Sequence, residues 1–183
     1  MPQRTPQRTP PKRIVTGHND RGRSIIAVQG WPGEQDGKPW RGREGIWRTE
    51  AGRHDTRDAT DRGERIPQLD PPPGGSAARF FSIPPHDPNL SEEDYKAQMD
   101  AFFAAIGGGH SRDPNARHPA MHKTETIDYI VLLEGELTLL LDEDEVQLKP
   151  YDVIVQRGTN HAWINKGDTP ALAFAVLVDA EIE

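Results

Sequence analysis

Between Met121 and Asn165 the chain reads MHKTETIDYIVLLEGELTLLLDEDEVQLKPYDVIVQRGTNHAWIN, and three of its side chains, His122, Asp128 and His161, are the types that hold a metal or move a proton. In an extended strand alternate side chains share a face, so positions 122, 124, 126 and 128 point one way while Lys123, Glu125 and Ile127 point the other. His161 opens a later β-prone run, which puts two imidazoles and one carboxylate within reach of a common interior. Such a set suits non-haem Fe(II) with open coordination positions, and also Mn, Ni, Co or Zn. Thr124 is expected to hydrogen-bond a metal-bound water or a substrate. His118, in the loop before the stretch, is expected at the mouth of the interior, and Arg117, Gln156 and Arg157 are candidates for gripping an anionic or oxygen-rich substrate. The alternative is plainer: a His and an Asp facing the inside of a small barrel also pair as a neutral hydrogen-bonded core with no metal.

The elements that must position these residues are strands. After Gly109 and the loop HSRDPNARHPAMH, β-prone runs fall at 127–133, 136–141, 145–149, 153–156, 161–165 and 171–178, with turn-sized connections. Short strands at that spacing predict a sandwich or barrel built from hairpins. Trp163 and Tyr129 alternate away from the candidate ligands and are expected to pack, Glu125 to face outward, and His110 to be an ordinary exposed loop histidine. Upstream, RIVTGHNDRGRSIIAVQG predicts a hairpin about Asn19-Asp20-Arg21-Gly22. GIWRTE and SAARFFSIPP predict further strands, and residues 52–75 a long surface loop. One helix is expected over about 91–106: Ser91 with Asp94 resembles a capping box, Tyr95, Met99, Phe102, Phe103 and Ile106 recur on one face, and Gly107-Gly108-Gly109 stops it. Its predicted role is packing, on the outside of a sheet or on a partner.

The bulk of the chain narrows the classes of function. There is no cysteine in 183 residues, so any metal is held by nitrogen and oxygen ligands and no thiol acts as nucleophile. Residues 1–66 carry 14 Lys and Arg against 9 Asp and Glu, and the remainder 8 against 20. From Arg41 to Arg65 the basic residues alternate with acids and lack interleaved aromatics, which predicts a solvated surface and no nucleic-acid footprint. The repeat TPQRTPQRTPP buries nothing, so residues 1–12 are expected to be a disordered basic tail, followed by one domain over 13–183. The basic N-terminus has no apolar core of a secretory leader, and no apolar run nears the roughly 20 residues that span a bilayer. A cytoplasmic protein with no membrane partner is the expectation.

Residues 118–179 resemble the conserved-barrel half of a single-domain cupin, whose fold is a double-stranded β-helix or jelly roll. The family's first motif runs His-x-His, three or four residues, Glu, six residues, Gly, and falls on His122, Thr124, Asp128 and Gly135. The second ends Gly-x-x-His-x-x-x-Asn and falls on Gly158, His161 and Asn165. In the family these motifs give three His and one Glu to a divalent metal. Here Thr124 replaces the second imidazole and Asp128 the longer acid; Ala116 holds the place of the opening glycine, Gln156 that of a proline and Tyr151 that of a glycine. The resemblance implies a mainly β, jelly-roll protein with one external helix and one divalent transition metal at His122, Asp128 and His161. It implies action on a small oxygen-rich metabolite, by a lyase or isomerase step (decarboxylation, dehydration or isomerisation) or as a dioxygenase. Since the fold also hosts non-catalytic proteins, a metal-free sensor or storage barrel stands as the alternative. Pairing of single-domain cupins, with an apolar helix and a β-prone hairpin to bury, predicts a two-fold homodimer.

Overall fold

The computed structural model describes residues 9–181. Ten strands and one helix follow in the order β1 Ile14–His18, β2 Ser24–Gln29, β3 Gly45–Thr49, β4 Ser76–Ile83, α1 Glu92–Ala105, β5 Thr126–Glu134, β6 Leu137–Leu141, β7 Glu145–Leu148, β8 Val153–Arg157, β9 His161–Ile164 and β10 Ala171–Asp179. They form a five-stranded sheet ordered β3-β4-β10-β5-β8, a three-stranded sheet ordered β7-β6-β9, and a separate hairpin β1-β2. The mainly β sandwich with a single α-helix among the described residues matches the architecture expected from the strand spacing.

Alternation builds the core. Along β5 the even-numbered residues Thr126, Asp128, Ile130 and Leu132 are buried, as the period of two demands. Across the sheet the same face is continued by Ala173, Ala175 and Leu177 of β10 and by Ala77 and Arg79 of β4, and Leu137, Leu139 and Leu148 close on it from the second sheet. Gly135 turns β5 into β6 at φ 78°, where a Cβ would lie 2.9 Å from the Ala171 backbone, so only glycine fits the turn. Asn165, the last residue of the second motif, is a fastener: its Nδ2 donates to the carbonyls of Ile83 at 2.9 Å and Thr169 at 2.8 Å, tying the end of β9 to the end of β4.

β3 and β4 extend the five-stranded sheet, whereas β1 and β2 pair only with each other. Trp31 and Trp40 pack edge-to-face against Phe80, which itself meets Phe174, so the segment after the hairpin covers the outer face of β4 and β10. The alternating basic and acidic residues there are partly an internal lattice, and not simply a solvated surface. Arg13 is buried, binding Asp61, the Ile46 carbonyl at 2.9 Å and the Gly30 carbonyl at 3.2 Å. Glu44 is buried too, accepting from the amides of Arg41 at 2.8 Å and Arg43 at 2.9 Å. Burying such charges requires these partners, and sequence alternation does not reveal them. Of the tail expected over 1–12, residues 1–8 lie outside the described part; residues 9–12 are exposed, with the Pro11 carbonyl accepting from Trp31 Nε1 at 2.7 Å. Among the described residues no helix is long and apolar enough to cross a membrane.

Candidate functional site

His122, just ahead of β5, and His161, the first residue of β9, form an isolated antiparallel bridge, each amide donating to the other's carbonyl at 2.9 Å. The bridge brings the imidazoles side by side, with ring centroids 4.3 Å apart and the planes tilted by 47°. His122 Nδ1 lies 3.1 Å from the Ala120 carbonyl and His161 Nδ1 2.9 Å from the Thr159 carbonyl. A carbonyl only accepts, so both Nδ1 atoms carry the proton, leaving both Nε2 lone pairs free as acceptors or ligands. Burial, with the neighbouring imidazole second, pushes His122 down to about 3, and burial pushes His161 down to about 4, so both rings are neutral at pH 7.

Helix α1 supplies what the sequence reading left out. Ser91 caps it, its Oγ accepting from the Asp94 amide at 3.1 Å, and Phe103 is its one buried side chain. That ring sits 4.9 Å from the His122 ring, with the Arg112 guanidinium 5.0 Å from its centroid. The helix therefore does more than pack: it seals one side of the imidazole pair, while Trp163, 5.4 Å from His161, lies against the other.

Asp128 is buried on the inner face of β5, and its Oδ1 has no hydrogen-bond partner. Burial pushes its carboxyl up to about 6, opposed by the Thr126 hydroxyl and by the Arg79 guanidinium. It does not join the imidazoles in a ligand set: among the described residues no three His, Asp or Glu side chains converge on a position that would hold a metal. The backbone accounts for this. His122 is paired to β9 of the three-stranded sheet, whereas Asp128 stands opposite Gln156 and Leu177 in the five-stranded sheet, and aspartate is one methylene shorter than the family's glutamate. The expected metal thus finds two donors of the right kind, neutral imidazoles oriented through Nδ1, and lacks the third. The residues present do not fit a complete metal site.

The remaining candidates separate. Thr124 is buried and its Oγ1 is 2.7 Å from Thr126 Oγ1, so that hydroxyl is engaged with its neighbour. Gln156 faces inward, its Nε2 donating to the Thr159 carbonyl at 2.9 Å. Arg157, one residue on, is exposed on the opposite face of β8, away from the interior. Arg117 is exposed and spends its guanidinium on the carbonyls of Leu141 and Asp144, tying down the β6–β7 turn. His118 is half-buried, accepts from the Ala120 amide at 3.1 Å through Nδ1, and packs on Tyr95 at 5.6 Å. With His86, Lys96 and Arg117 these two rings line an open groove beside the N-terminal half of α1. Tyr129, expected to pack, is 53% exposed on the outer face. Arg79 escaped the sequence reading entirely: it lies 49 positions from Asp128 in a segment with no motif, and only the sheet order brings the two to one face.

Residues 108–177 match the family described as Cupin domain. The chain is 58% identical over 50 residues to phomopsin biosynthesis cluster protein C' of Diaporthe leptostromiformis, covering 27% of this chain and 26% of that protein. It is 46% identical over 65 residues to oryzines biosynthesis cluster protein J of Aspergillus oryzae, covering 34% of this chain and 36% of that one. With a cupin-domain-containing oxidoreductase of Neurospora crassa it shares 38% identity over 72 residues, 37% of this chain and 36% of the relative. The likeness thus spans about a third or less of these relatives' own lengths. Among solved structures, a cupin 2 conserved barrel domain protein from Salinispora arenicola aligns at 13% identity and TM-score 0.36 over 57% of this chain and 64% of that one.

Proposed function

Residues 108–177 of this chain are a cupin domain, and from that premise we propose that it is an enzyme acting on a small oxygen-bearing metabolite by proton transfer inside the sandwich. One observation carries the reading: two neutral imidazoles with free Nε2 atoms share the interior with a buried carboxyl group whose pKa of about 6 lies near neutrality. A group poised there both takes and returns a proton at useful rates. Asp128, as carboxylate, removes the proton from a carbon beside a carbonyl, and the electron pair moves onto the carbonyl oxygen. Return of that proton to a different carbon completes an isomerisation; loss of a neighbouring hydroxyl as water, with the same proton, completes a dehydration. His122 and His161 accept hydrogen bonds from substrate hydroxyls through Nε2 and so fix its orientation, while Phe103 and Trp163 exclude water. Relatives named as biosynthesis cluster proteins and cupin-domain-containing oxidoreductases support a small-molecule substrate.

The test is solvent hydrogen exchange. Chelator-treated protein in D2O is offered small hydroxy- and oxo-acids, and deuterium gained at carbon is read by NMR. The expected result is catalysed exchange by wild type that Asp128→Asn abolishes. Exchange on no probe overturns the proton-transfer reading, and exchange that appears only with one equivalent of a divalent metal and is lost in His122→Ala overturns its metal-free form.

A further inference from the structure

Arg79 is buried on the inner face of β4. Its Nη2 donates to the Leu69 carbonyl at 2.6 Å, while its Nε is buried without a partner. Asp128, on the same face, has the complementary defect, an acceptor oxygen with no donor. The two charges attract each other, yet among the described residues no ion pair joins them. Between β4 and β5 runs β10, where Ala175 pairs with both Arg79 and Ile130 and contributes only a methyl group. An orphaned donor and an orphaned acceptor thus lie on one face, Asp128 one same-face rung beyond Arg79 and opposite Leu177 and Ala77, with the methyl group of Ala175 on the strand between them. Each orphan costs on the order of 1–3 kcal/mol if nothing satisfies it, so the pair is expensive as a purely structural device.

We infer that Arg79 is the binding residue for a carboxylate on the substrate, so that the metabolite is a small 2-hydroxy or 2-oxo acid held with its carboxylate on Arg79 and its adjacent oxygen beside Asp128. The inference deepens the proton-transfer reading and rests on it for the identity of the site. The chemistry favours this class. The Nε edge of a guanidinium presents two parallel N–H donors that match the two oxygens of a carboxylate, which a neutral amide or a lone hydroxyl cannot reproduce. A hydroxyl on the next carbon supplies the donor that Asp128 Oδ1 lacks. The positive charge also steadies the negative charge that forms on oxygen when Asp128 removes a proton from carbon.

The experiment separates this inference from the reaction it serves. Glycolate and its neutral isostere glycolamide are titrated at pH 7 into the full chain carrying 15N-arginine, and the Arg79 Nε–H resonance is followed. The expected result is a saturable shift with glycolate and none with glycolamide at equal concentration. Arg79→Lys, which keeps a charge and loses the fork, is expected to weaken binding by about tenfold, near 1.4 kcal/mol, and Arg79→Gln to abolish it. Equal shifts with both probes, no saturable shift, or full glycolate affinity in Arg79→Gln overturns the inference; if Arg79→Gln fails to fold, the two probes on wild type decide alone. Selective glycolate binding together with solvent exchange that survives Asp128→Asn leaves the carboxylate site standing and removes the proton-transfer reading. Asp128-dependent exchange on carboxylate and amide probes alike does the reverse.

Discussion

Lowering the pH from 7 to 5 is expected to destabilise the fold by roughly 2–3 kcal/mol, mainly through the two buried imidazoles. His122 and His161 have an ordinary value of 6.5 and sit at about 3 and about 4 in the folded chain. The unfolded chain therefore binds more protons between pH 6.5 and pH 4, and stability falls as pH falls through that window. Over pH 7 to 5 each imidazole contributes a loss of about 2 kcal/mol, at 1.36 kcal/mol per pH unit of differential protonation. Asp128 works in the opposite direction. Its folded value of about 6 stands above the ordinary 3.8, so the folded chain takes up the proton first and regains roughly 1 kcal/mol on the way to pH 5. His118, pushed below its ordinary 6.5 by burial and by His86, adds to the loss in the same direction, whereas Asp61, held below 3.8 by its hydrogen bond to Arg13, acts outside the window. Urea unfolding followed by circular dichroism at the two pH values measures the difference. His161→Gln removes one proton site and is expected to cut the loss to roughly half or less. Equal stability at pH 5 and pH 7 in wild type, or a full loss retained in His161→Gln, refutes the burial of two neutral imidazoles.

Two further outcomes are expected. Val153, Val155 and Tyr129 expose a continuous apolar surface on the outer side of β5 and β8, 69%, 53% and 53% accessible, and a two-fold homodimer formed by that patch meeting its own copy is expected. Light scattering at micromolar concentration should give twice the chain mass for wild type and the chain mass for Val155→Glu; a monomeric wild type refutes it. Tyr151 is the one described non-glycine residue at positive φ, 76°, and is 80% exposed, so Tyr151→Gly is expected to raise unfolding free energy by about 1 kcal/mol. A lower denaturant midpoint for that variant would show that the ring makes a contact worth more than the strain.

What was legible in the sequence is what short-range rules govern. The alternation read through positions 122, 124, 126 and 128 gave the inward side of Thr126 and Asp128 in β5 by parity alone, and Ser91 with Asp94 gave the start of α1. Parity also held information that went unused: with Gln156 inside, Arg157 had to point out, so the two could not both line the interior. Parity said nothing of reach, and Asp128 faces inward without coming up to the imidazoles because His122 pairs with the other sheet. Phe103 against His122 and Arg79 on one face with Asp128 depend on how a helix and three strands are laid together, and neither pair has a local signature. The same holds for Arg117, whose free-looking guanidinium is spent on two carbonyls more than 20 residues away.

The mutual amide bonds of His122 and His161 link the approach to β5, in one sheet, to the first residue of β9, in the other. The imidazoles that would meet a substrate are thus carried on a seam between the two layers, and a fluctuation that parts the layers there also parts the rings. Backbone amide protons at these two positions exchange with solvent only when the seam opens, so their protection reports how often the site comes apart. A molecule spanning the two Nε2 atoms would hold the seam shut as a clasp does, and binding in the interior would reach the mechanical integrity of the whole sandwich through one pair of peptide groups.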